Sequence, residues 1–364
     1  MPLICNYYVT LRCNQRCVFC NIPHTNNGMP DREPTPGQLV ANLRDLKRLG
    51  VRLVDVTGGE PLLYRHLIGL LTVAKRNGLR TSLTTNGMLY PKFAEALAGK
   101  VDALLFSVES ADADQHDRIR ATSSFHLVME ALRVARRLRQ DLFISHVVTN
   151  ESVDRVDEMI RFAREQRAIL FLNPCFSFFG NAGLAPERAA ELHRYFGQPD
   201  VIIDRAQLRL IEAGGNNPAA PVCRAVTSAV VISPDNHLWL PCYHFRQSGI
   251  PIENNLYGVY GKHPAVQEAK QKQGRHDFCT GCTVYCYMRT SLGRTYPLDT
   301  AALAAHYVRE RVRQRVRRTF APREPRPSPR ARESTPSGTQ AESAFQSPAQ
   351  QPPAAGGSPL TSGR

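Results

Sequence analysis

Long apolar runs are missing from this sequence: no stretch approaches the roughly 20 residues that a membrane-crossing helix needs. The first residues, Met1-Pro2-Leu3-Ile4-Cys5, lack the charged and apolar regions of a secretory signal. Acidic residues are the scarcer charge, 32 against 46 Lys and Arg, for a formal net charge of +14. The excess is uneven: residues 301–364 hold 11 basic against 4 acidic side chains, and the first 300 hold 35 against 28. The body of the chain is thus only mildly basic, which suits an anionic cofactor or substrate as well as anything else. The basic stretch 309–318 lacks interleaved aromatics for base stacking, so nucleic acid is not an expected partner. Tryptophan occurs once, at Trp239. Ten cysteines among 364 residues are too sparse for a disulfide scaffold. They cluster instead as C-x3-C-x2-C and C-x2-C-x3-C, the spacings of metal ligands. A reducing cytoplasm is the expected home for such thiolates, with no membrane partner.

From residue 3 to about 174, short β-rich runs alternate with helical patterns, which argues for a parallel sheet. The expected strands are Leu3–Leu11, Val51–Thr57, Leu79–Thr84, Val101–Val108, Leu142–Thr149 and Ile169–Asn173. Between the first two, Thr35 caps a helix that carries Leu39, Leu43, Leu46 and Leu49 on one face and stops at Gly50. Another helix is expected around Ala185–Phe196. Runs at Ala229–Ser233 and His237–Leu240 flank a Pro234-Asp235-Asn236 turn and read as a hairpin. Residues 301–320 read as a basic helix, solvated, with Ala304, Val308, Val312 and Val316 on one stripe. From 321 to 364, Pro, Ser, Gln, Gly and Ala dominate, and such a tail is expected to be disordered.

Cys13, Cys17 and Cys20 follow the first strand directly. A four-iron cube normally takes four thiolates, and the next cysteine, Cys175, is more than 150 residues on. Three thiolates leave one iron open, and an open position marks chemistry rather than structure. A zinc knuckle or a chance cluster of buried thiols stays open at this point. Gly58-Gly59-Glu60-Pro61 follows the second strand, where paired glycines let a ligand approach the backbone. Thr84-Thr85-Asn86-Gly87 ends the third strand, either as a ligand contact or as a turn using Asn-Gly. Ser107 and Glu109 alternate onto one face at the end of the fourth, and Arg120 follows in His116-Asp117-Arg118-Ile119-Arg120. Cys223, Cys242, Cys279 and Cys282 form a second group, with Cys286 a fifth thiol for four positions. Four cysteines also suit a structural zinc.

The three-cysteine loop, with Phe19 in the aromatic slot before its last cysteine, and the Gly-Gly-Glu turn resemble the radical S-adenosylmethionine (radical SAM) superfamily. The resemblance implies a partial (β/α)6 barrel, three-quarters of a TIM barrel, with function at the carboxyl ends of the strands. It implies a 4Fe–4S cluster on Cys13, Cys17 and Cys20, and S-adenosylmethionine (SAM) chelated to the open iron. One electron then breaks a carbon–sulfur bond to give a 5′-deoxyadenosyl radical. Phe19, Gly58, Gly59, Glu60, Pro61, Thr85, Asn86, Ser107, Glu109 and Arg120 are the implied cofactor contacts, Arg120 facing the SAM carboxylate. The second group resembles the twitch form of the SPASM domain, which holds one auxiliary 4Fe–4S cluster. Cys286 is a possible replacement for Cys279 or Cys282. The expected organisation is a core at 1–215, an auxiliary β-hairpin and cysteine-rich domain at 216–300, the basic helix at 301–320 and the tail at 321–364.

Cys175, past the last strand, is either a hydrogen-atom donor or acceptor near the substrate or an inert buried thiol. Flavodoxin or ferredoxin is the expected electron donor. Only 12 residues precede Cys13, which tilts the expected substrate toward a small polar metabolite such as an aminocyclitol or sugar alcohol. A ribosomally made peptide is the alternative. The molybdenum-cofactor branch fits poorly, because the chain does not end in Gly-Gly and its later cysteine spacing differs. A non-enzymatic iron–sulfur sensor or assembly factor is the remaining reading.

Overall fold

Apolar residues at every second strand position, with helical repeats between strands, give the sheet one face to cover and one face to keep. The computed structural model describes residues 1–22, 32–177 and 182–320. These fall within one compact unit, Met1–Pro322. The expected tail at 321–364 lies outside the described residues. The six expected strands are present as β1 (Ile4–Thr10), β2 (Leu53–Gly58), β3 (Arg80–Thr85), β4 (Ala103–Ser107), β5 (Leu142–Val148) and β6 (Ile169–Pro174). They are followed by β7 (Val201–Ile202), β8 (Ala229–Ile232), β9 (His237–Leu240) and β10 (Ser248–Pro251). The chain returns between strands through α1 (Pro36–Arg48), α2 (Leu67–Arg76), α3 (Tyr90–Leu97), α4 (Ala113–Arg120), α5 (Phe125–Arg137) and α6 (Val156–Glu165). Beyond β6 come α7 (Pro186–Glu191), α8 (Arg205–Glu212), α9 (Ala225–Ser228), α10 (Leu256–Lys262), α11 (Pro264–Lys272), α12 (Tyr285–Thr295) and α13 (Pro297–Phe320).

Pairing from β1 to β7 is parallel and runs in chain order. The expected hairpin is there, but β8 also pairs parallel with the free edge of β1 and joins it to the barrel sheet. One ten-stranded sheet results, in the order β10-β9-β8-β1-β2-β3-β4-β5-β6-β7. Val230 and Ile232, buried with the main core, give β8 the apolar outer face a barrel strand needs.

The outer face is apolar. Val54 and Val56, Leu104 and Phe106, and Leu170 and Leu172 pack under Leu39, Leu43, Leu70 and Leu132 of the covering helices. Thr35 caps α1 as expected, in a capping box with Gln38. The inner face is polar over much of its height: Asn6, Asp55, Ser82, Ser107, Ser145 and Asn173 alternate with those apolar residues.

Helix α13 reverses the sequence reading. Val308, Val312 and Val316 point outward, at least half exposed, whereas Leu303, His306, Glu310 and Gln314 are buried. The arginines are the reason. Arg311, Arg315 and Arg318 converge on Asp141, just before β5, at 2.7, 2.9 and 2.9 Å. Arg317 meets Asp200 at 2.8 Å, and Glu310 accepts the Asp200 N–H at 3.0 Å. An ion-pair network, with Leu303 and Tyr307 packed on Phe143, holds this helix under the barrel in place of the valine stripe. Burial alone would raise the Asp141 carboxyl, but hydrogen bonds from Arg311 and Arg315 and the charge of Arg318 hold it below the usual carboxylate range. The clamp therefore contributes fully above an unfolded Asp pKa of about 4 and is lost as pH falls through the lowered folded value. Hydrogen-exchange protection of α13 is expected to persist down to about pH 4 and to fall below it. Asp141→Asn is expected to lose that protection at neutral pH; equal protection in the variant would refute the clamp.

Candidate functional site

The loops after β1, β2, β3 and β4 meet at the carboxyl end of the sheet, where parallel α/β folds place their sites. The Gly58-Gly59 pair seats the cysteine loop. Gly58 has φ +138°, and a Cβ there would lie 2.0 Å from the Thr10 carbonyl oxygen. A Cβ on Gly59 would lie 2.1 Å from the Arg12 carbonyl oxygen. The Gly59 and Glu60 N–H groups donate to Thr10 and Arg12 at 2.9 and 2.8 Å. What comes close to these glycines is thus the chain leading into Cys13, not only a ligand. Pro61 opens a short 3-10 turn.

Glu60 is buried, and its carboxylate accepts from the Leu62 N–H at 3.0 Å, the Thr85 hydroxyl at 2.9 Å and the Asn86 N–H at 2.8 Å. Burial raises its pKa against the pull of those bonds. Asn86 donates from its side chain to Asn14 at 2.7 Å, so the third-strand turn grips the cysteine loop. Val18 N–H donates to the Ile119 carbonyl at 3.0 Å, tying the same loop to the end of α4. Arg120, buried, donates to Glu109 and, at 3.5 Å, to the Cys17 sulfur, with Gln15 at 3.4 Å. Glu109 also accepts the Val147 N–H at 2.9 Å, and His146 stands 3.5 Å away. Burial alone would raise the Glu109 carboxyl, but Arg120 and His146 outweigh it and hold it below the usual range. Asn14, Gln15 and His146 are site residues that the sequence reading passed over. Their one signal is a polar side chain inside the cysteine loop or on a buried strand.

Cys13, Cys17 and Cys20 lie close enough to feel one another's charge. Burial pushes the Cys13 thiol up to about 12 and raises Cys20. Phe19 and Glu109 line a cavity of about 360 Å³ bounded by the ends of β5 and β6, and Cys175 is in its wall. Ser107 is farther down, on the inner face of β4.

The second group also assembles. Cys223, Cys242, Cys279 and Cys282 line one small apolar cavity with Val284, Tyr287 and Met288. Burial raises all four thiols, Cys223 to about 12. Burial outweighs the nearby charge of Arg224 at Cys223, and thiols held up in this way fit a group that brings its own positive charge. Cys286 is not among them. It points away, toward Asp55 and Arg289. Trp239 packs against this group with Tyr8 and Tyr243, and the rings of Tyr8 and Tyr243 stack 4.5 Å apart. Among the described residues, no three His, Cys, Asp or Glu side chains converge as a single-ion site. No described helix is long and apolar enough to cross a membrane.

Residues 7–163 match the family described as the Radical SAM superfamily. Among curated relatives, the GTP 3′,8-cyclase of Marinobacter nauticus is 32% identical over 165 residues, 44% of this chain and 49% of its own. The mycofactocin maturase MftC of Mycolicibacterium smegmatis is 30% identical over 174 residues, 46% of this chain and 43% of its own. The chain thus spans about half the length of the curated relatives it matches. Among solved structures, Streptococcus suis SuiB bound to S-adenosylmethionine matches 74% of this chain and 68% of its own, with TM-score 0.61 at 19% identity. The anSMEcpe structure with bound AdoMet matches 84% and 98%, with TM-score 0.56 at 16% identity. Those likenesses are in fold, and they extend beyond the barrel strands. The matched segment, the cysteine loop on its Gly-Gly seat and the parallel barrel agree, and residues 7–163 carry the likeness to the radical SAM superfamily.

Proposed function

We propose that Cys13, Cys17 and Cys20 hold a 4Fe–4S cluster with one open iron for SAM, and that Cys223, Cys242, Cys279 and Cys282 hold an auxiliary 4Fe–4S cluster. Bound there, the first cluster and SAM supply one-electron cleavage of a carbon–sulfur bond and so the removal of a hydrogen atom from substrate. The protein's part is placement. Glu60, fixed by three hydrogen bonds, aims its carboxylate and the backbone beside it at the SAM ammonium. Arg120 sits between Cys17 and Glu109, within reach of a carboxylate. Phe19 and Glu109 line the cavity that suits the adenosine half, with Val18, Ile119 and Val147 beside polar side chains such as Gln115 and Asn150. Cys223, Cys242, Cys279 and Cys282 would hold an auxiliary cluster able to supply electron uptake or substrate placement, and a flavodoxin or ferredoxin would be the electron donor. The observation that carries this reading is the gathering of three thiols, Glu60 and Arg120 at one end of the parallel sheet.

The polar inner face and the modest cavity support a small polar metabolite as substrate. A peptide is the second reading, favoured by the likeness across 79% of this chain to SuiB solved with the precursor peptide SuiA. Anaerobic reconstitution followed by dithionite reduction with SAM tests the reaction. About eight irons per chain and release of 5′-deoxyadenosine are expected. About four irons would remove the auxiliary cluster, and absence of deoxyadenosine would remove the SAM chemistry. Gly59→Ala is expected to unseat the cysteine loop and lose about four of those irons, since its Cβ meets backbone rather than a movable side chain. Full iron loading in that variant would refute the seat.

A further inference from the structure

Below the site, the barrel interior carries charge. Asn6, Asp55 and Ser82 stand side by side across β1, β2 and β3, in register and on the inner face. Asp55 accepts from the Ser82 hydroxyl at 2.6 Å. At about 3.3 Å per residue, Asp55 lies roughly 10 Å below Gly58 along the strand. Helix α12 brings the opposite charge. It packs against Tyr8 of β1 on one side and Leu210 of α8 on the other. Tyr287 bonds Tyr8 at 2.7 Å, and Tyr285 donates to Asp204 at 2.6 Å. Arg289, one turn on, faces the charges of Asp204 and Asp55 together with Tyr285 and Tyr307.

Two groups in this interior lack partners. The guanidinium of Arg289 is solvent-accessible and makes no hydrogen bond or ion pair among the described residues. The side-chain amide nitrogen of Asn6, a residue 3% exposed, likewise has none. A buried unpaired donor is costly unless a ligand or water completes it. An unpaired guanidinium that feels the charge of Asp55 is a fork for a carboxylate.

We infer that the barrel interior between Asp55 and Arg289 is the substrate site, and that it takes an amino-acid-like group: a carboxylate with an N–H or ammonium donor close by. Arg289 holds the carboxylate, Asp55 accepts from the donor, and Asn6 donates to a remaining oxygen. This rests on the proposed radical chemistry only for what happens to the bound group. A free amino acid and an acidic residue within a peptide share the required chemistry.

The test is equilibrium binding to the full, anaerobically reconstituted chain with SAM and no reductant. One arm uses the standard free α-amino acids. The other uses end-blocked peptides containing Asp or Glu. Arg289→Gln is expected to weaken binding at least ~10-fold, with Arg289→Lys between it and the parent chain. Asp55→Asn is a second probe, and circular dichroism with iron content shows whether each variant is folded. Binding of free amino acids that needs Arg289 supports the site and a metabolite source. Binding confined to the blocked peptides, again needing Arg289, supports the site and a peptide source. No binding in either arm, or equal binding in folded Arg289→Gln and Asp55→Asn, overturns the inference. Deoxyadenosine release is scored separately, so its absence beside Arg289-dependent binding would remove the radical reading and leave this site standing.

Discussion

Cys17→Ala is expected to bring 5′-deoxyadenosine release to background and to leave about four of about eight irons. Cys242→Ala is expected to lose a similar share of iron while still cleaving SAM. The asymmetry follows from where the two thiols lie. Cys17 is buried in the loop that Gly58, Gly59 and Asn86 hold in place, and its sulfur already accepts from Arg120. Cys242 lines the other cavity, with Cys223, Cys279 and Cys282. Tyr8, Trp239 and Tyr243 pack against that second group. Iron and sulfide counting beside a single-turnover assay reads both effects at once. Deoxyadenosine from Cys17→Ala above the level of a no-protein control would remove this cluster from the reaction. Loss of all iron from Cys242→Ala would show that the two groups do not load independently.

Much of this was legible in the chain because strand spacing and cysteine spacing are local signals. Six strands and the α1 cap at Thr35 fall where periodicity and spacing put them. What was not legible depends on contacts between distant segments. The role of Gly58 and Gly59 as a seat for the cysteine loop needs the register of β1 on β2, which no local pattern carries. The pairing of β8 with β1 turns a hairpin into part of the barrel for the same reason. Helix α13 is the clearest miss. Valines at three- and four-residue spacing normally mark the buried face. Here Asp141 and Asp200 select the arginine face instead. Cys286 fits the spacing of a fifth ligand, yet a turn of α12 carries it toward Asp55.

Glu109→Ala is the second large effect. The Glu109 and Arg120 side chains are 2% and 9% exposed, so this is a buried ion pair. Removing one partner of such a pair costs about 3–5 kcal/mol, because the other charge stays buried without compensation. Arg120 would keep only Cys17 and Gln15 as acceptors, at 3.5 and 3.4 Å, and the Val147 N–H would lose its acceptor as well. Denaturant unfolding of the metal-free chain should therefore show the midpoint falling with little change in slope. Arg120→Gln should cost a similar amount, by stranding Glu109 beside His146. The double variant should then cost less than the two single losses added together, since it removes both halves of the pair. Strict additivity of the two would mean that Glu109 and Arg120 act separately. The carboxylate would then have to be explained through Val147 and His146 alone, and the link from β4 to the cysteine loop would be broken.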